Sequence, residues 1–310
     1  MPWHRRIAII GSGRMGRWFA RFFSNEGIPV TVSDVNKDAL RKVSEELDVL
    51  VTDNVTAIKR ADSVLLAVPI DCFRNVVQEI SLYLRPNQAV MDICSVKEAV
   101  VDIMHEYIKT GVALGTHPLF GPGAEKIEGQ GWVLTPTNSR ERELAKEVGG
   151  WLEKRGARVY SMSPREHDRL MSLTLAFPHF VGLAACDTLT RSGRFLQAKK
   201  SAGSTYKLLL TLAEAVASED PNHYASIQPV SSSSLCSPKS EPLSLLLRLL
   251  ERTPPGPRRG CRSRLSQRRC EVSHGQRRTS LQVNHLHRNN IQSNGTLFEL
   301  VNSRDREKQL

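Results

Sequence analysis

Ile7-Ala8-Ile9-Ile10-Gly11-Ser12-Gly13-Arg14-Met15-Gly16 is a short apolar run that passes directly into G-x-G-x-x-G. From Arg14 to Asn25 the residues Met15, Trp18, Phe19, Phe22 and Phe23 recur at helical spacing. Glu26-Gly27 then stops the pattern, and a second apolar run, 28–33, ends at Asp34. The order is strand, glycine turn, helix, strand, acid. In that order Gly11 makes the tight turn, Gly13 lets a pyrophosphate approach the backbone, and Gly16 lets the helix pack closely on the strand. The helix N-terminus supplies N–H groups and a partial positive charge, so Ser12, Arg14 and Met15 belong to the same binding turn. Asp34 follows Gly16 by 18 residues, where a carboxylate accepts hydrogen bonds from both adenine-ribose hydroxyls and repels a 2′-phosphate. NAD is therefore expected over NADP, with Arg14 or Lys37 offsetting part of that repulsion. A glycine turn with no ligand is the bland alternative.

Outward from this unit the alternation continues. Residues 38–46 form a charged amphipathic pattern, and 63–68 is apolar on both faces, as a central parallel strand is, with Pro69 closing it. Further strands are expected at 88–93, 111–115, 132–135 and 158–160, with helices over 96–109 and 140–154. The rhythm predicts an α/β fold, a Rossmann-type doubly wound parallel sheet over 1–162. At Ser163-Pro164-Arg165-Glu166 the pattern turns helical, with a capping box and proline at the first helical position. A long helix is expected there, kinked where Pro178 cannot bond to Thr174. A second helix follows over 205–217, and Asp220-Pro221 stops it. The chain thus reads as a sheet domain followed by an all-α domain over 163–228.

Composition bounds the rest. With 40% hydrophobic and 24% charged residues in 310, the chain has enough apolar material for one or two cores, which excludes disorder throughout. The longest uncharged apolar run, 63–70, is too short for a membrane span. The N-terminal apolar run is broken by glycine, so no signal peptide is read and a cytoplasmic address is expected. The six cysteines show no C-x-x-C spacing, so free thiols and no metal are expected. The net charge of +11 is concentrated: residues 229–295 carry 12 Lys+Arg against three Glu and no aromatic residue, whereas 1–228 balance 28 against 26. A nucleic-acid role for the folded part is therefore not expected.

Three residues stand out as candidates for chemistry. His117, in Gly115-Thr116-His117-Pro118-Leu119-Phe120-Gly121-Pro122, follows a strand, where ligands of open α/β sheets gather, and an imidazole there suits proton abstraction. The alternative is a loop histidine that caps backbone groups. Ser95 ends another strand, where it either orients a substrate hydroxyl or His117, or N-caps a helix at Val96. His179, after Pro178, is either a ligand or a core or interface residue.

Taken together these stretches resemble the prephenate dehydrogenase family. The matching elements are Gly11-x-Gly13-x-x-Gly16 with Trp18-Phe19-Ala20, Asp34, Ala67-Val68-Pro69, Asp92-x-x-Ser95-Val96-Lys97 and the His117-Pro118-Leu119-Phe120-Gly121-Pro122 loop. Glu166-His167-Asp168-Arg169, Pro178-His179-Phe180, and Asp220-Pro221 with Tyr224-Ala225-Ser226-Ile227-Gln228 complete the match over about 5–228. The resemblance implies an NAD-binding domain, with Val68 and Pro69 joining the glycine turn at the cofactor, and a helical domain that builds a homodimer. It also implies oxidative decarboxylation of prephenate in tyrosine biosynthesis. Hydride leaves C4 for the nicotinamide, His117 accepts the 4-hydroxyl proton, and CO2 departs as the ring becomes aromatic, giving 4-hydroxyphenylpyruvate. By the same resemblance Ser95 bonds the 4-hydroxyl and His117, and His179 holds the substrate.

Two departures accompany it. The family's arginine before the Asp-Pro stop is absent; Lys207 is the one cation of that helix and is taken as the substrate-binding residue there, without bidentate pairing. After Gln228 the text turns Ser/Arg/Pro-rich, and at 296–310 a helical pattern returns, so two compensating frameshifts are favoured over a genuine basic tail. Rival readings are an arogenate or 3-hydroxyacid dehydrogenase, and a non-catalytic nucleotide-binding protein with a damaged second half.

Overall fold

The computed structural model describes residues 3–218. The expected Asp-Pro stop, the basic segment 229–295 and the C-terminal helix 296–310 lie outside the described residues. The chain divides into two compact units, Met1–Met171 and Ser172–Leu310.

In the first unit strands and helices alternate: β1 (Ile7–Ile10), α1 (Arg14–Asn25), β2 (Val30–Ser33), α2 (Lys37–Glu46), β3 (Leu50–Thr52), α3 (Asn54–Arg60), β4 (Ser63–Leu66), α4 (Ile70–Ser81), β5 (Ala89–Asp92), α5 (Glu98–Tyr107), β6 (Val112–Pro118), β7 (Gly131–Thr135), α6 (Ser139–Glu153), β8 (Arg158–Ser161) and α7 (Pro164–Met171). The strands form one eight-stranded sheet in the order β3-β2-β1-β4-β5-β6-β7-β8. β1, β2, β4 and β5 are buried at every residue, so helices cover both faces, as a parallel sheet requires. Asn36 and Asp53 cap α2 and α3 by accepting backbone N–H bonds, which fixes where those helices begin.

The expected parallel sheet is corrected at one place. β7 runs antiparallel to β6, and β8 parallel to β7. Residues 119–130 join β6 to β7 without a helix, and a parallel return needs a crossover that such a link does not provide. The link is fastened to α1: Trp18 Nε1 donates to the Ala124 carbonyl at 2.6 Å, and the Phe120 ring lies 4.9 Å from that of Trp18. Phe19, Phe23, Trp132 and Trp151 extend this aromatic packing into the core.

The helix expected to run on from Ser163 starts as read. Ser163 Oγ accepts from the Glu166 N–H at 3.2 Å, the N-cap half of the capping box. Where a kink was expected, the structure has a π-helical turn, Ser172–Ala176, directly before α8 (Phe177–Arg191). Pro178 sits in the first turn of α8, where its missing N–H breaks no helical bond, and the wider turn absorbs the interruption. By length and composition alone, the 28-residue run Pro164–Arg191 is the one helix among the described residues that matches a membrane span. The sequence reading, which took 63–70 as the longest run, passed over 170–186, seventeen residues without a charged side chain.

The described part of the second unit continues with α9 (Phe195–Lys200) and α10 (Ser204–Ala217). α8 and α10 pack through Ala185, Cys186 and Ala213, and a side chain at Gly182 would meet Val216. Cys72, Cys94 and Cys186 are free thiols.

Candidate active site

The sheet reverses its order between β1 and β4, and the carboxyl ends of its parallel strands form one edge where ligands of such sheets bind. Gly11 leaves β1 with φ +103°, a conformation that strains any side-chain-bearing residue, and a Cβ there would run into the Ala67 carbonyl beyond β4. Gly16 packs its α-carbon against the Gly11 carbonyl oxygen, leaving no room for a methyl group. Gly13, in contrast, faces open space. It is the N-cap of α1, and no side chain caps that helix end. The turn therefore presents N–H groups and the positive end of a helix to an open volume, which suits a pyrophosphate. Val68 and Pro69 lie beyond β4 beside it, Pro69 as the N-cap of α4, with Val68 Cγ1 about where it would touch a Gly11 side chain. Arg14 is exposed, and Met15 is partly buried against the core.

Asp34 follows β2 on the same edge. Its Oδ2 accepts from Ser12 N at 2.5 Å and Ser12 Oγ at 2.8 Å, and its Oδ1 accepts from Asn36 N at 2.8 Å. The carboxylate is thus fixed beside the glycine turn by the chain itself. Val35, next to it, is 96% exposed.

His117 requires a correction of place. It is not a loop residue: β6 extends to Pro118, and His117 pairs with Val133 of β7 near the strand's carboxyl end. It is 6% exposed, and its Nδ1 lies 2.9 Å from Nε2 of His167 on α7. His167 Nδ1 in turn lies 2.7 Å from Asp168 Oδ1. Asp168 accepts from the backbone N–H groups of Lys97 at 2.7 Å and Glu98 at 2.9 Å. Ser95 is corrected too as a helix cap: α5 begins at Glu98, and the carboxylate that holds its first N–H groups is Asp168, from a distant element. Ser95 is half-buried in the turn between β5 and α5.

Beneath these residues lies a fully buried ion pair. Lys97 Nζ donates to Asp92 and to the Thr116 carbonyl at 2.6 Å, and both charged side chains are inaccessible. Asp92 also accepts from Thr116 N at 3.1 Å and from Cys94 N at 2.8 Å. Burial, reinforced by the Asp92 carboxylate, pushes the Cys94 thiol far up and keeps it protonated. Burial also lowers the pKa of His167, against the raising effect of Asp168, with Lys97 adding to the lowering. At Asp168 burial works upward, but the bonds from His167, Glu98 and Lys97 outweigh it and hold the carboxyl below its usual range.

The first unit thus brings Gly11, Ser12, Gly13, Asp34, Val68, Pro69, Ser95 and His117 to one edge. His179, at the start of α8, and the exposed Lys207, on α10, belong to the second unit. His167, Asp168, Lys97 and Asp92 carried no assigned role in the sequence reading. The one available signal was a histidine and an aspartate side by side near the start of a helix.

Comparison with known proteins gives a consistent picture. The model of the prephenate dehydrogenase nucleotide-binding domain matches residues 19–161, beginning after the glycine turn, and that of the prephenate dehydrogenase dimerization domain matches 163–236. A probable arogenate/prephenate dehydrogenase of Methanocaldococcus jannaschii is 34% identical over 227 residues, 72% of this chain and 51% of that protein. The T-protein of Haemophilus influenzae is 28% identical over 227 residues, 72% of this chain and 55% of that protein. The chain spans about half the length of these curated relatives. Among solved structures, prephenate dehydrogenase from Aquifex aeolicus in complex with hydroxyphenyl propionate and NAD+ superposes with a TM-score of 0.67 at 25% identity, covering 80% of this chain and 89% of that one. Synechocystis arogenate dehydrogenase, at 20% identity and a TM-score of 0.63, covers 98% of this chain and 100% of its own and shares the fold.

Proposed function

The chain belongs to the prephenate dehydrogenase family, and from that premise we propose that it is a cytoplasmic, homodimeric enzyme that uses NAD to convert prephenate oxidatively to 4-hydroxyphenylpyruvate and CO2. In this reading 1–162 form the cofactor domain and 163–228 the start of the helical substrate and dimerisation domain. The observation that carries it is His117, buried at the same sheet edge as an uncapped glycine turn and a fixed carboxylate.

Gly11 and Gly16 shape the turn and Ser12 ties it to Asp34, and the N–H groups that open α1 at Gly13, Arg14 and Met15, with the helix dipole, hold the pyrophosphate. Asp34 accepts from the adenine ribose, and Val68 and Pro69 form the facing wall. When bound, the nicotinamide supplies the acceptor for the hydride that leaves C4. His117 takes the proton of the 4-hydroxyl, a transfer that an imidazole performs near neutral pH. Ser95 donates to the same oxygen and keeps it pointed at His117. As the C4–O bond gains carbonyl character, the C1 carboxylate leaves as CO2, its bonding pair completes the aromatic ring, and the 4-oxygen takes the proton back from His117 to give the 4-hydroxyphenyl product. His179 and Lys207 are the proposed substrate-binding residues, Lys207 as a point charge for a carboxylate.

The Aquifex aeolicus complex supports both the cofactor and a ligand with a hydroxyphenyl ring and a carboxylate side chain. A panel of prephenate, arogenate and simple 3-hydroxyacids, each with NAD and with NADP, tests the reading. Turnover of prephenate with NAD above all other pairs is expected. Preference for arogenate or a 3-hydroxyacid, or for NADP, overturns it.

A further inference from the structure

Behind His117 stand two ionisable residues that the proposed reaction does not use. Two imidazole nitrogens 2.9 Å apart, as His117 Nδ1 and His167 Nε2 are, share a single proton, because two N–H groups facing each other repel and two lone pairs do not bond. Which ring carries it is set by the far end of the chain. Asp168 is held as a carboxylate by three donors: its Oδ1 faces His167 Nδ1 and Lys97 N, and its Oδ2 accepts from Glu98 N. These last two N–H groups open α5, which has no side-chain cap of its own, so the positive end of that helix also favours the negative form. A carboxylate only accepts. His167 Nδ1 must therefore carry hydrogen, and a fully buried neutral ring then has its lone pair on Nε2. His117 must donate from Nδ1, which leaves the basic lone pair on its Nε2.

We propose that His167 and Asp168 are positioning residues for the base: they fix His117 in the Nδ1–H tautomer and share the proton that it takes up. This rests on the reading of His117 as the base. When Nε2 of His117 accepts the substrate proton, its Nδ1 proton shifts to Nε2 of His167. His117 is then neutral again, and the positive charge lies on His167 against the Asp168 carboxylate. The reverse shift restores the starting state when Nε2 returns its proton to the 4-oxygen of the aromatised product. Among the described residues, the charged groups that act on His167 are Asp168, Lys97 and Asp92. α7 also packs on β7, whose residues are not ionisable, while Glu98 on α5 is exposed. Together these three groups carry one net negative charge, which suits a transient imidazolium. Lys97 links the two halves of the device: its N–H orients Asp168, and its Nζ bonds the Thr116 carbonyl, one residue before His117.

The test is imidazole 15N NMR of the full chain near neutral pH, with His117→Asn and His167→Asn assigning the two rings, followed by kinetics of Asp168→Asn and His167→Gln. Nδ1–H signals from both histidines are expected. Asp168→Asn should turn both rings to Nε2–H and lower kcat by on the order of 10²–10⁴ with KM little changed, the cost of a wrong tautomer. His167→Gln keeps an acceptor for Nδ1–H and loses only the shared proton. It should retain more activity than Asp168→Asn and move the acid limb of kcat/KM to lower pH. An Nε2–H signal from wild-type His117 overturns the proposal whatever the variants do, as does an Asp168→Asn enzyme with wild-type kcat and pH profile. The two readings fail separately: the spectrum needs no substrate, and loss of the His117 dependence of turnover contradicts the base without altering the tautomer.

Discussion

Asp34 presents its charge to a ligand already oriented. A carboxylate has about four lone-pair sites, and the chain occupies three of them, through Ser12 N, Ser12 Oγ and Asn36 N. A ribose hydroxyl can take the remaining position at once, and rotation of the Ser12 hydroxyl releases a second. Asp34→Asn should therefore weaken NAD binding by roughly 10–100-fold, the equivalent of about 1.5–3 kcal/mol for bonds to a charged group, and narrow the gap to NADP. Titration of intrinsic tryptophan fluorescence with each cofactor checks it. Deeper in the unit, burial sets a pH dependence of stability. His167 has a lowered pKa in the folded chain, so the unfolded chain binds the proton first as the solution is acidified, and stability falls as pH drops below about 6.5. Asp168, also lowered, contributes stability that is present above about pH 4 and lost below it. Thermal melts between about pH 7.5 and 5 should show a steeper decline for wild type than for His167→Gln. Parallel curves contradict the assignment.

The contact of α1 with the end of β1 depends on the absence of a single methyl group. Gly16→Ala places a Cβ against the Gly11 carbonyl, so the helix must move away from the turn that it orients. A loss of roughly 1–3 kcal/mol is expected, as for other overpacked contacts, together with loss of NAD affinity; calorimetry and the same fluorescence titration measure both. Elements with a strong period were legible in the sequence. α1 occupies the expected residues, and α2, α6 and α10 fall within a residue or two of theirs, because apolar spacing and caps mark them. β3, α3, α4 and α9 went unread; of these Leu50–Thr52 is a three-residue edge strand with exposed and half-buried side chains, too short to show a period. The direction of β7 was also hidden, since it depends on the course of residues 119–130 and not on the strand's own residues. In the candidate site, the glycines, Asp34 and His117 were singled out because each has a local signature beside a strand. The Asp168 cap on α5 joins residues 70 apart in sequence and left no local trace.

On the scale of the whole molecule, the helices of the second unit leave Leu196, Leu208 and Leu209 exposed, with Leu208 73% accessible, and a second copy of the chain is the proposed cover. Leu208→Asp should raise the monomer fraction in sedimentation while leaving NAD affinity in place, because the glycine turn and Asp34 belong to the first unit. An unchanged sedimentation profile places the interface elsewhere. The central claim is that His117, at the edge where the sheet presents its glycine turn, is the base of an NAD-dependent decarboxylating oxidation of prephenate. It is tested most directly by incubating the full chain with prephenate and NAD and measuring reduced nicotinamide and 4-hydroxyphenylpyruvate together, for wild type and His117→Asn. The account predicts equimolar products from wild type, and from His117→Asn a rate lower by on the order of 10²–10⁴ with unaltered NAD affinity. Equal rates from the two proteins, or reduced nicotinamide formed without 4-hydroxyphenylpyruvate, would contradict it.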